Sequence, residues 1–394
     1  MNNILQGYRV LDFGRYIAGP YCAALLGHLG AEVIRIERPG GGEDRVLAPV
    51  TEQGDGALYL QMNANKLGMT LNIAKPAGRK IVKELVATAD IVVANLPPQT
   101  LAALALDYDA LTAVKPDIIL VTNTAFGSAG SFANRVGFDG IAQAMSGAAF
   151  FTGLPGQPAK AAVQYVDYAS ALAAAFGTLA AVLVRERTGQ GQVVETSLLA
   201  TALTLTNGSL IEQAVIQANR QPTGNRAQIA SPADIFATQD GHIIIQIAGP
   251  YMFKRWAELM GETHWLTDPR FKDDISRGDH RDILCERTAA WCSKRTTAEA
   301  LVALEQAKIP AGPVLSFQEA LDHPAVHHLE HLQPIDYPGA AQLVPVADKP
   351  VALSLSDTAV PNRAPTLGEH TVQILTKLGY TAAQIDALRE ERII

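Results

Sequence analysis

Apolar and polar positions alternate between two periods along the first 125 residues. Tyr8 to Phe13 reads as a strand, Cys22 to Leu29 as a helix stopped by Gly30, and Ala31 to Glu37 as the next strand, closed by Arg38-Pro-Gly-Gly-Gly42. Pro20 suits a first helical turn. Further strands are predicted near Met69 to Ile73, over Asp90 to Ala94 and over Asp117 to Val121, with helices from Pro76 and around Thr100. Repeated βαβ units of this kind predict a parallel sheet with helices on both faces. The run from Tyr168 to Val184 is long enough to span a bilayer, but alanine dominates it and gains little from lipid, so a buried helix is expected. It ends at Thr188-Gly189, and a strand over Gln192 to Thr196 follows.

The pattern changes near Gln221. Two alternating runs flank Gln239-Asp240-Gly241, a hairpin signal, and helices continue to about Lys308. This predicts a smaller α+β region. The last thirty residues form two helical segments broken at Gly379, with Thr381 as the cap of the second.

Composition narrows the classes. A chain of 394 residues with 48% hydrophobic and 18% charged residues can build two cored domains. The net charge of −7 is spread without a basic run, which points away from nucleic acid, and no membrane partner is expected. Met1 to Val10 lacks the basic and apolar regions of a signal peptide, so a cytoplasmic location is expected. Cys22, Cys285 and Cys292 are odd in number and lack CxxC spacing, as for reduced, packed thiols.

Few residues stand out chemically. Asp167 is the sole acid at the head of a long small-residue apolar helix. Its position predicts a carboxylate just before the helix, held ionised by the macrodipole and the unpaired first-turn amides, able to act as nucleophile or base. An ordinary aspartate N-cap is the commoner cause of that pattern. Gly14 to Pro20 could approach a phosphate, and Glu37 imitates the acid that binds ribose, but the GxGxxG fingerprint of a dinucleotide site is missing. His323, His327 and His331 would stack on one helical face; without a ligand motif such as HExxH they read as a solvated stretch, and no metal is expected.

In order and spacing, Val10-Leu-Asp-Phe13 with Ala18-Gly-Pro20, Leu29 to Glu37, Asn63-Ala-Asn-Lys66, Asp90 to Asn95, Gly137 to Gly147, the Asp167 helix with Arg187 to Gln192, and Ile309 to Val314 resemble the class III CoA-transferase family. This CaiB/BaiF family includes formyl-CoA transferase, carnitine CoA-transferase and α-methylacyl-CoA racemases. The resemblance implies a large doubly wound, Rossmann-like α/β domain (1–220 and 335–394) and a smaller α+β domain (221–334), in a ring that interlocks with a second chain. It implies an enzyme moving CoA from an acyl-CoA donor to a small carboxylic acid, with coenzyme A as co-substrate and no tightly bound cofactor. Acetate, succinate or a methyl-branched diacid are acceptors of the expected kind.

The same resemblance makes Asp167 the nucleophile, passing through aspartyl anhydride and aspartyl-CoA thioester intermediates. It puts Tyr16, Ile17, Ala18, Arg38, Leu71, Asn95 and Leu96 at the CoA side of the site, with Phe138 and Asp139 beside them. Two basic CoA contacts of formyl-CoA transferase are replaced by Ala74 and Ala103, leaving Arg15, Arg45, Lys66 and Arg135 as candidate substitutes. Ile17 stands where formyl-CoA transferase has glutamine, and that enzyme's glycine-rich loop is missing, which disfavours formyl transfer. Phe138 stands where the racemases have their histidine, which ranks racemase or epimerase activity below transfer. A CoA-ester-binding protein without turnover is the remaining alternative.

Overall fold

The computed structural model describes residues 3–356 and 362–394, so Met1 and Asn2 of the N-terminal segment lie outside the described residues. Six parallel strands, β1 (Arg9–Asp12), β2 (Glu32–Glu37), β3 (Lys66–Thr70), β4 (Ile91–Ala94), β5 (Ile119–Thr124) and β6 (Val193–Ser197), form one sheet in the order β3-β2-β1-β4-β5-β6. This is the doubly wound order, in which connections leave in opposite directions from β1 and β4 and open a crevice beyond their carboxyl ends.

Alternate strand residues divide between the two faces, as the period of two requires. Leu11, Ile34, Val92 and Leu120 pack with helix Pro76–Val86 and with Ile374, Leu375 and Ile385 of the C-terminal helices. Val10, Val33, Ile91, Val93, Ile119 and Val121 pack with helices Ala18–His28 and Tyr165–Thr188. Small residues on the latter, Ala171, Ala174, Ala175 and Ala181, are buried there together with Val182. Thr381 caps the last helix in a capping box with Gln384, as the sequence predicts.

The chain divides into two compact units: 1–146 with 162–207 and 325–394, and 147–161 with 208–324. The second contains the predicted hairpin, β7 (Ala233–Ala237) and β8 (His242–Gln246), joined by β9 (Ala311–Pro313). Its core gathers Trp256, Trp291, Phe253 and Phe271, with Trp256 Nε1 donating to Thr288 Oγ1 at 3.2 Å. Cys22, Cys285 and Cys292 are free and buried.

Several expectations need correction. β3 begins at Lys66 and ends at Thr70, earlier than predicted, because Lys66 is buried as a counter-ion and the pattern of apolar residues does not register it. β5 begins at Ile119 rather than Asp117 and runs on past the expected end at Val121 through Thr122, Asn123 and Thr124, all buried. Helix Tyr165–Thr188 is buried on one face only: Phe176 is 76% exposed and Leu183 58%. It is also the one helix among the described residues long and apolar enough to cross a membrane. The three histidines do not share a helix, since His323 follows helix Phe317–Asp322, Pro324 opens a separate turn, and His331 precedes strand Leu332–Ile335. Glu37 is buried against Arg45, whose Nη2 lies 2.7 Å from Glu37 Oε2, so this acid is an ion-pair partner rather than a ribose ligand.

Beneath the crevice lies a buried charged network. Lys66 Nζ donates to Asp12 Oδ2 at 2.7 Å, to the Pro20 carbonyl at 2.7 Å and to Asn63 Oδ1 at 3.0 Å. Burial pulls the Lys66 ammonium down to about 8 even though Asp12 acts in the other direction. Such a network fixes geometry more than it adds stability. Lys66→Met should cost about 3 to 5 kcal/mol in denaturant unfolding because it removes the closer of the two cations facing the buried Asp12 carboxylate and leaves Arg35 at 3.7 Å. The double variant Lys66→Met/Asp12→Asn should recover part of that loss, and additive losses would contradict the pairing.

Candidate active site

The loop leaving β1 is fastened where the chain turns into helix Ala18–His28. Asp12 Oδ1 accepts from Gly14 N at 2.8 Å, and a Cβ on Gly14 would lie 2.8 Å from that same oxygen, so glycine is required for the approach. Arg35 donates to the Gly14 carbonyl and, through Nη2, to Asp44 at 2.6 Å. Asn95, directly after β4, grips Arg15 by both backbone groups: Oδ1 accepts from Arg15 N at 2.6 Å and Nδ2 donates to Arg15 O at 2.7 Å. Tyr16 is thereby held at φ 62°, in the left-handed region, with its ring edge-on to Phe138 at 5.4 Å.

Asp167 is the third residue of helix Tyr165–Thr188, not the residue before it. The cap comes from elsewhere in the chain. Asp139 Oδ2 accepts from Val166 N at 2.8 Å and Asp167 N at 3.1 Å, and Oδ1 accepts from Gln143 Nε2. The positive end of the helix is therefore occupied by Asp139, which is 4% exposed. Deprived of that partner, half-buried Asp167 is not held ionised as the sequence suggests. Burial first, and repulsion from the Asp139 carboxylate second, push its carboxyl up to about 7. A carboxylate of that basicity is a stronger nucleophile than an ordinary aspartate and still half ionised near neutrality.

Asp167 opens onto a cavity of about 260 Å³ at the crevice between the carboxyl ends of β1 and β4. Of the residues singled out in the sequence, Tyr16, Ile17, Ala18, Asn95, Leu96 and Phe138 line it together with Asp167. Three do not: Leu71 is buried in the core, Arg38 is on the surface with its side chain 61% exposed, and Asp139 lies behind the wall as the helix cap. Among the candidate cations, Arg15 and Arg135 line the cavity. Arg45 and Lys66 are not available to a phosphate, because both are buried and bound to carboxylates, Arg45 to Glu37 and Asp55 and Lys66 to Asp12. Phe138 presents a ring to the cavity and can exclude water but cannot carry a proton, which removes the second acid/base group a racemase needs.

Sequence reasoning did not single out Asn123, Thr124 and Leu198, which also line the cavity, nor the capping role of Asp139. The polar end of β5 is a local signal for the first two. The Asp139 contact spans 28 residues and has no local signal.

Asp139→Asn removes the neighbouring charge while leaving an oxygen to accept the two amides. Carbon-detected NMR titration of the Asp167 carboxyl should then show its pKa lowered from about 7; an unchanged value would mean that burial alone sets it.

Comparison with known proteins agrees with this geometry. The sequence profile of CoA-transferase family III matches residues 5–371. A succinyl-CoA–D-citramalate CoA-transferase from Chloroflexus aurantiacus is 32% identical over 394 residues, covering 99% of this chain and 98% of that protein. Mouse succinyl-CoA:glutarate CoA-transferase is 31% identical, with 98% of this chain and 88% of that protein covered. The crystal structure of a CAIB/BAIF family protein from Brucella suis matches 96% of this chain and 100% of its own, with a TM-score of 0.85 and 27% identity. The sheet order, the crevice and the match over nearly the whole sequence lead to one conclusion: the chain belongs to CoA-transferase family III and is an enzyme of that class.

Proposed function

We propose that the protein moves CoA from a dicarboxylic acyl-CoA, succinyl-CoA being the first candidate, to a second carboxylic acid through covalent intermediates on Asp167. The observation that carries this reading is the placement of the basic Asp167 carboxyl in the wall of the crevice cavity. The names of the Chloroflexus and mouse relatives, both succinyl-CoA-dependent with a diacid as acceptor, supply the substrate class.

In this reading the ionised Asp167 attacks the thioester carbonyl, forming a mixed anhydride and expelling CoA thiolate. The thiolate attacks the Asp167 acyl carbon, releasing the donor acid as carboxylate and leaving an aspartyl-CoA thioester. The acceptor carboxylate attacks that thioester, again expelling thiolate and forming a second anhydride. The thiolate then attacks the acceptor's carbonyl, giving the new CoA ester and restoring Asp167. An ordinary carboxylate, with a pKa of roughly 4.3, is a better leaving group than Asp167, so thiolate attack on the first anhydride favours the enzyme thioester. Phe138, Tyr16, Ile17 and Leu96 exclude water from intermediates that hydrolyse readily.

Self-association belongs to the same reading. Leu172, Phe176, Leu183 and Val184 leave an apolar face on the Asp167 helix exposed, and a second copy of the chain is the occupant that the family resemblance implies.

With succinyl-CoA and a labelled diacid, Asp167→Asn should lose CoA exchange by about 10³-fold or more. The wild-type kcat/KM should fall as pH drops through about 7, since only the ionised carboxylate attacks and its pKa is raised; a limb near 4 would argue against Asp167 as nucleophile. Phe176→Glu should halve the mass measured by light scattering, and a wild type that already runs as a monomer would remove the dimer.

A further inference from the structure

Among the described residues two cations, Arg15 and Arg135, line the Asp167 cavity, and their states differ. Arg15 is paired with two carboxylates: Nε donates to Asp44 at 3.0 Å and Nη2 donates to Glu43, while its backbone is gripped by Asn95. The Arg15 hydrogen bond in turn holds the Glu43 carboxyl below its usual range, so Glu43 stays charged and cancels the guanidinium it touches. Arg135 has no carboxylate partner among the described residues. Its guanidinium stacks over the Phe132 ring, 4.1 Å from the centroid, and its backbone N–H donates to the Phe132 carbonyl at 2.9 Å.

The loop that bears Arg135 is well fastened. Phe132 rests against Phe126 at 5.7 Å, Gly127 N donates to Thr124 Oγ1 at 2.9 Å, and Ser128 N and Oγ both donate to Glu195 at 2.6 Å. Four residues after Arg135 the same segment delivers Asp139, the cap of the Asp167 helix. One short stretch of chain thus sets the position of the nucleophile and of the unpaired cation together. Stacking leaves the edge of the guanidinium plane free, and that edge is a fork matched to a carboxylate.

We propose that Arg135 binds the distal carboxylate of a dicarboxylic acyl group while its thioester carbonyl meets Asp167, and so selects diacids over monoacids. The cavity of about 260 Å³ has Asp167 and Arg135 in one lining and room for a short acyl chain between them. This inference rests on the reading of Asp167 as the group through which CoA is exchanged.

The test compares purified full-length wild type, Arg135→Gln and Arg135→Lys with succinyl-CoA and, as the ester lacking a distal charge, butyryl-CoA. Arg135→Gln should reduce kcat/KM for succinyl-CoA by about tenfold to a hundredfold, mostly through KM, and change that for butyryl-CoA less than twofold. Arg135→Lys should restore part of the loss. An equal loss with both esters would mean that Arg135 serves a CoA phosphate and would overturn the proposal, as would no loss at all. Calorimetric binding of free succinate and butyrate to the same proteins reads Arg135 without turnover. Wild type should prefer succinate and Arg135→Gln should not, and indifference in the wild type would also overturn it. Should Asp167→Asn stay active, the mechanism fails, while the diacid preference and its loss in Arg135→Gln are still read by binding.

Discussion

The grip of Asn95 on both backbone groups of Arg15 joins the loops that follow β1 and β4, the two strands at which the sheet reverses its winding. Parallel strands in this order diverge at that point and leave a crevice that no helix fills. Without a crosslink the β1 loop would have to hold Tyr16 at a positive φ by itself. Asn95 above, Asp12 within and Arg35 beneath leave the loop one conformation, and the apolar cavity wall of Ile17 and Ala18 follows from it.

A second constraint acts on the opposite wall. Helix Tyr165–Thr188 begins without a capping side chain of its own, and Asp139 supplies the acceptor for its first amides. The consequence for Asp167 is inverted from the simple expectation for an acid near a helix N-terminus. The macrodipole still points at the site, but a fixed carboxylate already faces it, so the second acid is raised rather than lowered. Asp139 thus positions the head of the helix and adds to the effect of burial on Asp167, while itself lying outside the cavity.

The buried ion pairs below the crevice belong to the same design. Lys66, Arg35 and Arg45 are drawn inward by Asp12, Asp44, Glu37 and Asp55, at a desolvation cost that hydrophobic residues would avoid. What this network provides is direction: carboxylates and guanidinium groups orient the β1 loop, where apolar packing would tolerate several arrangements. Among the described residues that line the cavity, the exposed Arg135 is then the cation without a carboxylate partner.

Much of the fold was legible in the sequence. Period-two apolar runs with intervening helical segments identified the strands around Leu11, Ile34, Val92 and Leu120, Gly30 and Gly189 marked helix ends, and Thr381 marked a cap, since each depends on neighbours within a few residues. Asp167 was also visible, as an acid isolated at the head of an apolar helix, and ordered motifs along the chain pointed to the family. What the tertiary structure decided was the state of the charged groups. Whether Lys66 and Arg45 face a ligand or a buried carboxylate, whether Asp139 touches substrate or caps a helix, and whether Asp167 is held ionised or raised to about 7 all turn on partners 8 to 54 residues away. Charge is felt through space and through burial, and a linear sequence records neither distance nor solvent exposure.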